Sequence, residues 1–331
     1  MLAGCAGFWG CPAREATRAY VWGDNYPPYD GGPAQTILAY STVSPQASSP
    51  LSTLTLPTTC NGGPIAMDSQ GRLYVGCFSP SASPQILVYS PNSTGNATPS
   101  RTIQMSSSSY EIATLAVDSD DRLYVGSLMN GQEGDTVLFT LSVYAPEASG
   151  PAAPLRTISL GANNGLIDVG LDEAGNIYVA GYPRYVSNEP PVSYVDVYSS
   201  DASLATPVRA IDFPFFIYGV GVDDAGNVYV SAGTGTDNQV AAIEEFAQDA
   251  AGYARPINII NLPEPPTGMT IGGGPVRLDG AGNIFTSVVV GSPSTSNSYV
   301  LFRFVAPAFA KAIPIATIAP KDGYNTSFTL N

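Results

Sequence analysis

A twelve-residue unit recurs along this chain and constrains its fold more than any other feature. Ile65-Ala-Met-Asp68-Ser-Gln-Gly71-Arg-Leu-Tyr74-Val-Gly76 returns as Leu115-Ala-Val-Asp118-Ser-Asp-Asp121-Arg-Leu-Tyr124-Val-Gly126. It returns again around Asp172/Gly175/Tyr178, Asp223/Gly226/Tyr229 and Asp279/Gly282/Phe285, so successive aspartates stand 50, 54, 51 and 56 residues apart. A second unit interleaves with the first: Ile37-Leu-Ala-Tyr40 recurs in segments ending at Tyr89, Tyr144, Tyr198, Phe246 and Phe304. Each is followed by a Pro/Ser/Ala-rich stretch and then a β-type segment, as in Arg101-Thr-Ile103, Arg156-Thr-Ile158, Arg209-Ala-Ile211 and Ala316-Thr-Ile318. A period of this length marks one supersecondary unit, too small to bury both of its faces, packed against its own copies.

The local physics predicts four antiparallel strands per unit. Strand A alternates large apolar with small residues, as in Val169-Gly170-Leu171. Asp-x-x-Gly is a tight turn in which the carboxylate accepts backbone N–H bonds and Gly takes the positive-φ position. Strand B is β-branched and aromatic, strand C is the Val-Tyr segment, and strand D follows a proline that blunts its edge. Such units stack radially into a β-propeller. Strand B occurs six times if Ala19-Tyr20-Val21-Trp22 is counted, but that copy has Arg14 where the turn aspartate belongs and no strand A before it. Phe328-Thr329-Leu330-Asn331 has the register of Val169-Gly170-Leu171-Asp172. The expectation is therefore an all-β, six-bladed β-propeller over residues 13–331, closed by a C-terminal strand A that completes blade 1. Five blades with an N-terminal extension are the alternative.

The Asp-x-x-Gly-Asn-Ile/Val-Tyr-Val unit resembles NHL-type propeller repeats, which occur in many secreted bacterial proteins. Asn176, Asn227 and Asn283 match the Gly-Asn of that pattern, whereas blades 2 and 3 carry Arg72 and Arg122, and Asp121 replaces a glycine. The resemblance implies the fold and leaves function open. NHL propellers include protein- and RNA-binding modules, and similar six-bladed rings include lactonases and lyases.

Composition narrows the choice. With no histidine in 331 residues, His-ligated metals, Ser-His and Cys-His nucleophile pairs and histidine proton shuttles are excluded. A net charge of −14 argues against nucleic-acid binding and against an anionic membrane surface as partner. No apolar stretch is long enough to predict a membrane-spanning helix. Leu2-Ala3-Gly4-Cys5 resembles the lipobox of bacterial lipoproteins, which implies lipidation at Cys5; the basic region and apolar run of a complete signal peptide do not precede it. Residues 1–12 are read as the remnant of an export signal, and the protein as exported, either lipid-anchored in the cell envelope or extracellular, and monomeric. Given export, Cys60 before strand A of blade 2 and Cys77 at the end of its strand B are expected to pair, stabilising the fold by about 3 kcal/mol; two free thiols are the alternative.

Candidate site residues are those that break the repeat. The turn aspartates lie one per blade around a rim and are read as turn chemistry. The repeated tyrosines are read as inter-blade packing. Two residues before the turn residue, Ala66, Ala116, Gly170, Gly221 and Thr329 are small, and Arg277 is the exception. Four before it, Asp168 is the exception among Pro64, Thr114, Gly219, Pro275 and Ser327. Both belong near the central channel, as a ligand-binding couple or as a structural ion pair. The loops joining D to A and B to C share one face and carry Tyr110, Glu111, Tyr218 and Asn325, residue types suited to protein or glycan recognition. The leading expectation is a non-catalytic binding propeller without a cofactor. The alternative is a calcium-dependent hydrolase or lyase with Glu111, Asp168 and Asn325 as ligands.

Overall fold

Each Asp-x-x-Gly turn reverses the chain between two strands, and in the computed structural model the resulting sheets form a six-bladed ring. The structure describes residues 16–23, 35–43, 49–79, 82–105, 109–130, 137–162, 165–184, 192–200, 206–234, 239–263, 270–292, 295–306, 312–318 and 326–331. Blade 1 has the order β25 (Thr326–Leu330), β1 (Arg18–Gly23), β2 (Thr36–Ser41), β3 (Ser52–Thr55). Blade 2 is β4 (Ile65–Met67), β5 (Leu73–Ser79), β6 (Ala82–Tyr89), β7 (Arg101–Gln104), and blade 3 is β8 (Ser109–Val117), β9 (Leu123–Asn130), β10 (Val137–Tyr144), β11 (Arg156–Ala162). Blade 4 is β12 (Leu166–Leu171), β13 (Ile177–Arg184), β14 (Val192–Tyr198), β15 (Arg209–Phe213), and blade 5 is β16 (Ile217–Val222), β17 (Val228–Thr234), β18 (Gln239–Phe246), β19 (Asn258–Asn261). Blade 6 has β22 (Ile284–Ser292), β23 (Thr295–Phe304) and β24 (Ala312–Ile318), with its strand A split into β20 (Thr270–Gly272) and β21 (Val276–Leu278).

The split departs from the expected continuous strand. Gly273, Gly274 and Pro275 interrupt it: a Cβ at Gly273 would lie 2.4 Å from the Tyr218 ring, and proline offers no N–H to a ladder.

The ring closes through the C-terminus. β25 pairs antiparallel with β1, and Tyr20 faces Thr329 as Tyr74 faces Ala66, Tyr124 faces Ala116 and Tyr178 faces Gly170. Polar ties cross the seam between blades 6 and 1, where Arg303 Nη1 donates to Thr42 O (3.0 Å), and others secure blade 1 itself, where Asn331 Oδ1 accepts the Arg18 N–H (2.8 Å) and Thr42 Oγ1 donates to Ala16 O.

Among the described residues, apolar clusters fill the six inter-blade interfaces. Each strand-B aromatic projects into the next blade: Tyr74 among Leu115 and Leu123, Tyr124 among Leu166 and Val169, Tyr178 among Ile217 and Val220, Tyr229 among Val276 and Ile284. Phe285 packs with Ala19, Val21 and Phe328 across the seam, and Tyr20 with Ile65 and Val75. The core is thus distributed around the ring. At blade edges, backbone bonds reinforce what prolines were expected to do alone. The loop between strands C and D of blade 2 lays Gly95 on β3, that of blade 3 lays Gly150 on β7, and that of blade 5 lays Gly252 on β15, each as a parallel bridge.

Candidate functional site

The axial cavity holds about 200 Å³ and is walled by the strands A, with Ala66, Ala116, Gly170, Gly221, Thr329 and Arg277 at equivalent positions. Blade 5 approaches blade 6 closely because it has no side chains in the way. A Cβ on Gly219 would lie 2.5 Å from Pro275 Cα, and one on Gly221 2.6 Å from Leu278 Cδ1. Arg277 crosses this strand to reach blade 4, where its guanidinium meets Asp168 fork to fork: Nη1 to Oδ2 at 2.8 Å and Nη2 to Oδ1 at 3.0 Å. Nη1 also donates to Val276 O (2.9 Å) and Val220 O (3.4 Å). Asp168 accepts further bonds from Val169 N (2.9 Å), Val220 N (3.2 Å) and Thr114 Oγ1 (3.3 Å). One carboxylate therefore ties blades 3, 4, 5 and 6. Its side chain is 5% exposed and that of Arg277 21%. Five donors saturate the lone pairs of Asp168, so it has no free acceptor for a ligand or a cation. The two exceptional residues do meet at the channel, and their geometry is that of a structural ion pair.

The turn aspartates are likewise consumed locally. Asp172 Oδ1 accepts Asn176 N (2.8 Å), while Oδ2 accepts Asn176 Nδ2 (2.8 Å) and the Tyr178 hydroxyl (3.1 Å). Asp223 repeats this with Asn227 and Tyr229. In blades 2 and 3, Arg72 and Arg122 replace the Asn amide and pair with Asp68 and Asp118. Burial, then the neighbouring aspartate charge, pushes the Tyr74, Tyr124 and Tyr178 hydroxyls up to about 12. Blade 6 has Phe285 instead of tyrosine, and there Asp279 Oδ2 accepts the Ala16 N–H (3.1 Å) from the segment leading into blade 1.

On the face of the D–A and B–C loops, Glu111 is exposed on β8. Tyr218 is half-buried on β16 with its ring against Gly273, and burial pushes its hydroxyl up. The Tyr110 side chain, Asn325 and Cys5 lie outside the described residues. Cys60 and Cys77 are joined by a disulfide with Cα atoms 5.1 Å apart. It anchors the loop before β4, where Gly62 (φ 77°) lies beneath the Trp22 indole so closely that a Cβ would be 2.1 Å from Nε1. Among the described residues no three His, Cys, Asp or Glu side chains cluster to hold a metal, and of the three calcium ligands considered Asp168 is already saturated.

A groove that the sequence did not suggest lies on the opposite face, between blades 4 and 5. It holds about 320 Å³ and is bordered by Glu173, Asn176, Arg209, Asp224 and Gln248. The Arg209 guanidinium sits 5.6 Å from the Tyr178 ring centroid and its Nη1 donates to Ala250 O (2.8 Å).

No family model matches the chain, and no curated protein does. Among solved structures, the chain is similar to a protein of unknown function from Bacteroides caccae, with a TM-score of 0.61 and 10% identity over 96% of this chain and 99% of that one. It also aligns with a calcium-binding protein, regucalcin, from Agrobacterium tumefaciens (TM-score 0.46, 11% identity, 88% and 90% covered). A third match is the major allergen of Malassezia sympodialis (TM-score 0.46, 13% identity, 80% and 77% covered). At 10% identity the likeness to the Bacteroides caccae protein is one of fold.

Proposed function

We propose that this protein is a non-catalytic binding propeller of the cell envelope or the extracellular space, monomeric, which presents the face of its D–A and B–C loops to a protein or a glycan. The observation that carries this reading is the saturation of Asp168. In many rings the channel mouth is where chemistry is done, but here the carboxylate spends its bonding capacity on holding blades together. The opposite rim consists of short turns that repeat from blade to blade, which give a partner little to distinguish one blade from the next. Lipidation at Cys5 would anchor the ring and leave that loop face free.

The test separates recognition from stability. Purified protein is screened against an immobilised glycan panel and against envelope proteins by cross-linking. Glu111→Lys is expected to abolish a captured interaction with the melting temperature unchanged, and Asp224→Lys to leave capture intact. Arg277→Ala is expected to cost roughly 3–5 kcal/mol of stability, because it strands a buried carboxylate. Capture that survives Glu111→Lys and disappears with Asp224→Lys would place recognition on the wrong face. Calcium-dependent turnover of a lactone or ester, lost in Glu111→Gln, would replace the reading with a hydrolase.

A further inference from the structure

The groove between blades 4 and 5 has a filled counterpart within the same molecule, and the comparison shows what belongs in it. Between blades 2 and 3, Arg101 opens strand D just as Arg209 does two blades later, and its guanidinium lies 5.8 Å from the Tyr74 ring centroid. Arg101 Nη1 donates to Ala148 O, the fourth residue beyond the strand-C aromatic, as Arg209 does to Ala250 O. There the resemblance ends. Arg101 Nη1 also binds Glu147 Oε2 (3.0 Å), and the other oxygen of Glu147 binds Arg72. The Arg101–Tyr74 platform is thus occupied by a carboxylate clamped between two guanidinium groups.

At the second site both parts of the clamp are missing. Asn176 stands where Arg72 stands, with its amide committed to Asp172. Asp249 takes the place of Glu147, one methylene shorter, and among the described residues no carboxylate pairs with Arg209. Arg209 spends one donor on Ala250 O, lies over the Tyr178 ring and borders the groove. A guanidinium fork of this kind takes a carboxylate bidentately. A simple anion is nevertheless disfavoured, because the exposed carboxylates of Glu173 and Asp224 line the same groove and the chain carries −14 overall. The charge pattern fits a molecule bearing both signs.

We propose that the groove between blades 4 and 5 binds a zwitterionic amino acid or short peptide, its carboxylate on Arg209 and its ammonium group toward Glu173 and Asp224. Val208, 65% exposed beside Arg209, offers an apolar contact to a side chain. The site lies on the face opposite the D–A and B–C loops and stands independently of the reading given for them.

Trialanine, its methyl ester and its N-acetyl form are titrated into the intact protein and followed by NMR. Trialanine is expected to bind in the millimolar range, with shifts at Arg209 and Asp224. Blocking the carboxylate as the ester, or substituting Arg209→Gln, is expected to weaken binding about ten-fold, as loss of a charge-assisted bond pair does. N-acetylation is expected to weaken it as well, whereas Arg101→Gln leaves it unchanged. A double variant, Asn176→Arg with Asp249→Glu, rebuilds the clamp that blades 2 and 3 already fold with, and is expected to exclude trialanine. The proposal is overturned by absence of binding, by equal binding of ester and free acid, or by undiminished binding to a folded double variant.

Discussion

Asp172 keeps its turn closed with three donors, and one of them is a hydroxyl from the blade interior, that of Tyr178. The same phenol is buried against blade 5, so ionising it would place an anion in an apolar interface beside an aspartate. This is why the Tyr74, Tyr124 and Tyr178 hydroxyls are pushed up to about 12, and why the Tyr229 hydroxyl is raised as well. The consequence for stability has a definite sign. These groups hold their proton more tightly folded than unfolded, so their contribution is fully present below the ordinary tyrosine range near pH 10 and is lost as the pH rises through about 12. Each shift corresponds to roughly 2–3 kcal/mol at most. Melting temperature should therefore stay level to about pH 9.5 and fall steeply above it. Tyr178→Phe should lower stability by about 1 kcal/mol at neutral pH and flatten part of the alkaline fall; an unchanged alkaline profile in this variant would assign the fall to other groups. At this scale the sequence was informative about residue roles and silent about partners. The turn aspartates follow from Asp-x-x-Gly alone, and Asp168 and Arg277 stand out as breaks in the repeat. That these two touch could not be read, because 109 residues separate them and only the closed ring brings blade 4 and blade 6 to one axis. Phe285 was visible as the one non-tyrosine of its series, but its consequence, a turn carboxylate free to accept Ala16 N, needed the seam to be seen.

Among the elements, the outer strands show how an open edge is covered without a further strand. In blades 2, 3 and 5 a glycine stands six residues beyond the strand-C aromatic: Gly95 after Tyr89, Gly150 after Tyr144, Gly252 after Phe246. Each adopts a left-handed φ, 59°, 60° and 58°, and forms two backbone bonds with strand D of the preceding blade. Gly252 donates to Ala210 O and accepts from Asp212 N, both at 2.8 Å. These spacings were present in the sequence as a fixed offset, but the eye falls on the prolines of the same loops, and the pairing joins different repeats. The split of strand A in blade 6 was harder to foresee, since a Gly-Gly-Gly-Pro run is compatible with a strand end or an interruption. A Cβ at Gly252 would meet nothing within 4 Å, so alanine there tests backbone conformation in isolation. Gly252→Ala should cost roughly 1–2 kcal/mol, the penalty of the left-handed region for an L-residue. The same substitution at Gly63, which has no left-handed φ, tests a steric clash instead, since a Cβ there would lie 2.7 Å from Gly76 O. Denaturant unfolding that shows no loss for Gly252→Ala would mean that the loop yields its bonds to β15 without cost.

Across the whole molecule, closure is the property on which the other interfaces depend, because a ring of blades has either no free edge or two. The register of Phe328-Thr329-Leu330 with β1 continues the axial wall, and the Phe328 side chain is fully buried with Phe285, Val21 and Tyr40 at the seam. Removing residues 326–331 would expose the axial edge of β1, uncover Phe285 and release the Arg18 N–H from Asn331. Burying one phenylalanine is worth about 1.5–3 kcal/mol, and the unpaired edge adds the cost of an open template for strand addition. The truncated protein should melt well below the full chain and become prone to self-association, read by calorimetry and light scattering. A circular permutant separates closure from mere loss of residues. With the native ends joined by a flexible linker and new ends placed between β3 and β4, the same six residues become an internal strand and the cut falls between two blades. That permutant should recover most of the stability, since every sheet keeps its strands and only one connection has moved. A truncated chain that melts like the full one would show that the ring is held by its six apolar interfaces alone, and the clasp would then be a consequence of closure rather than a cause.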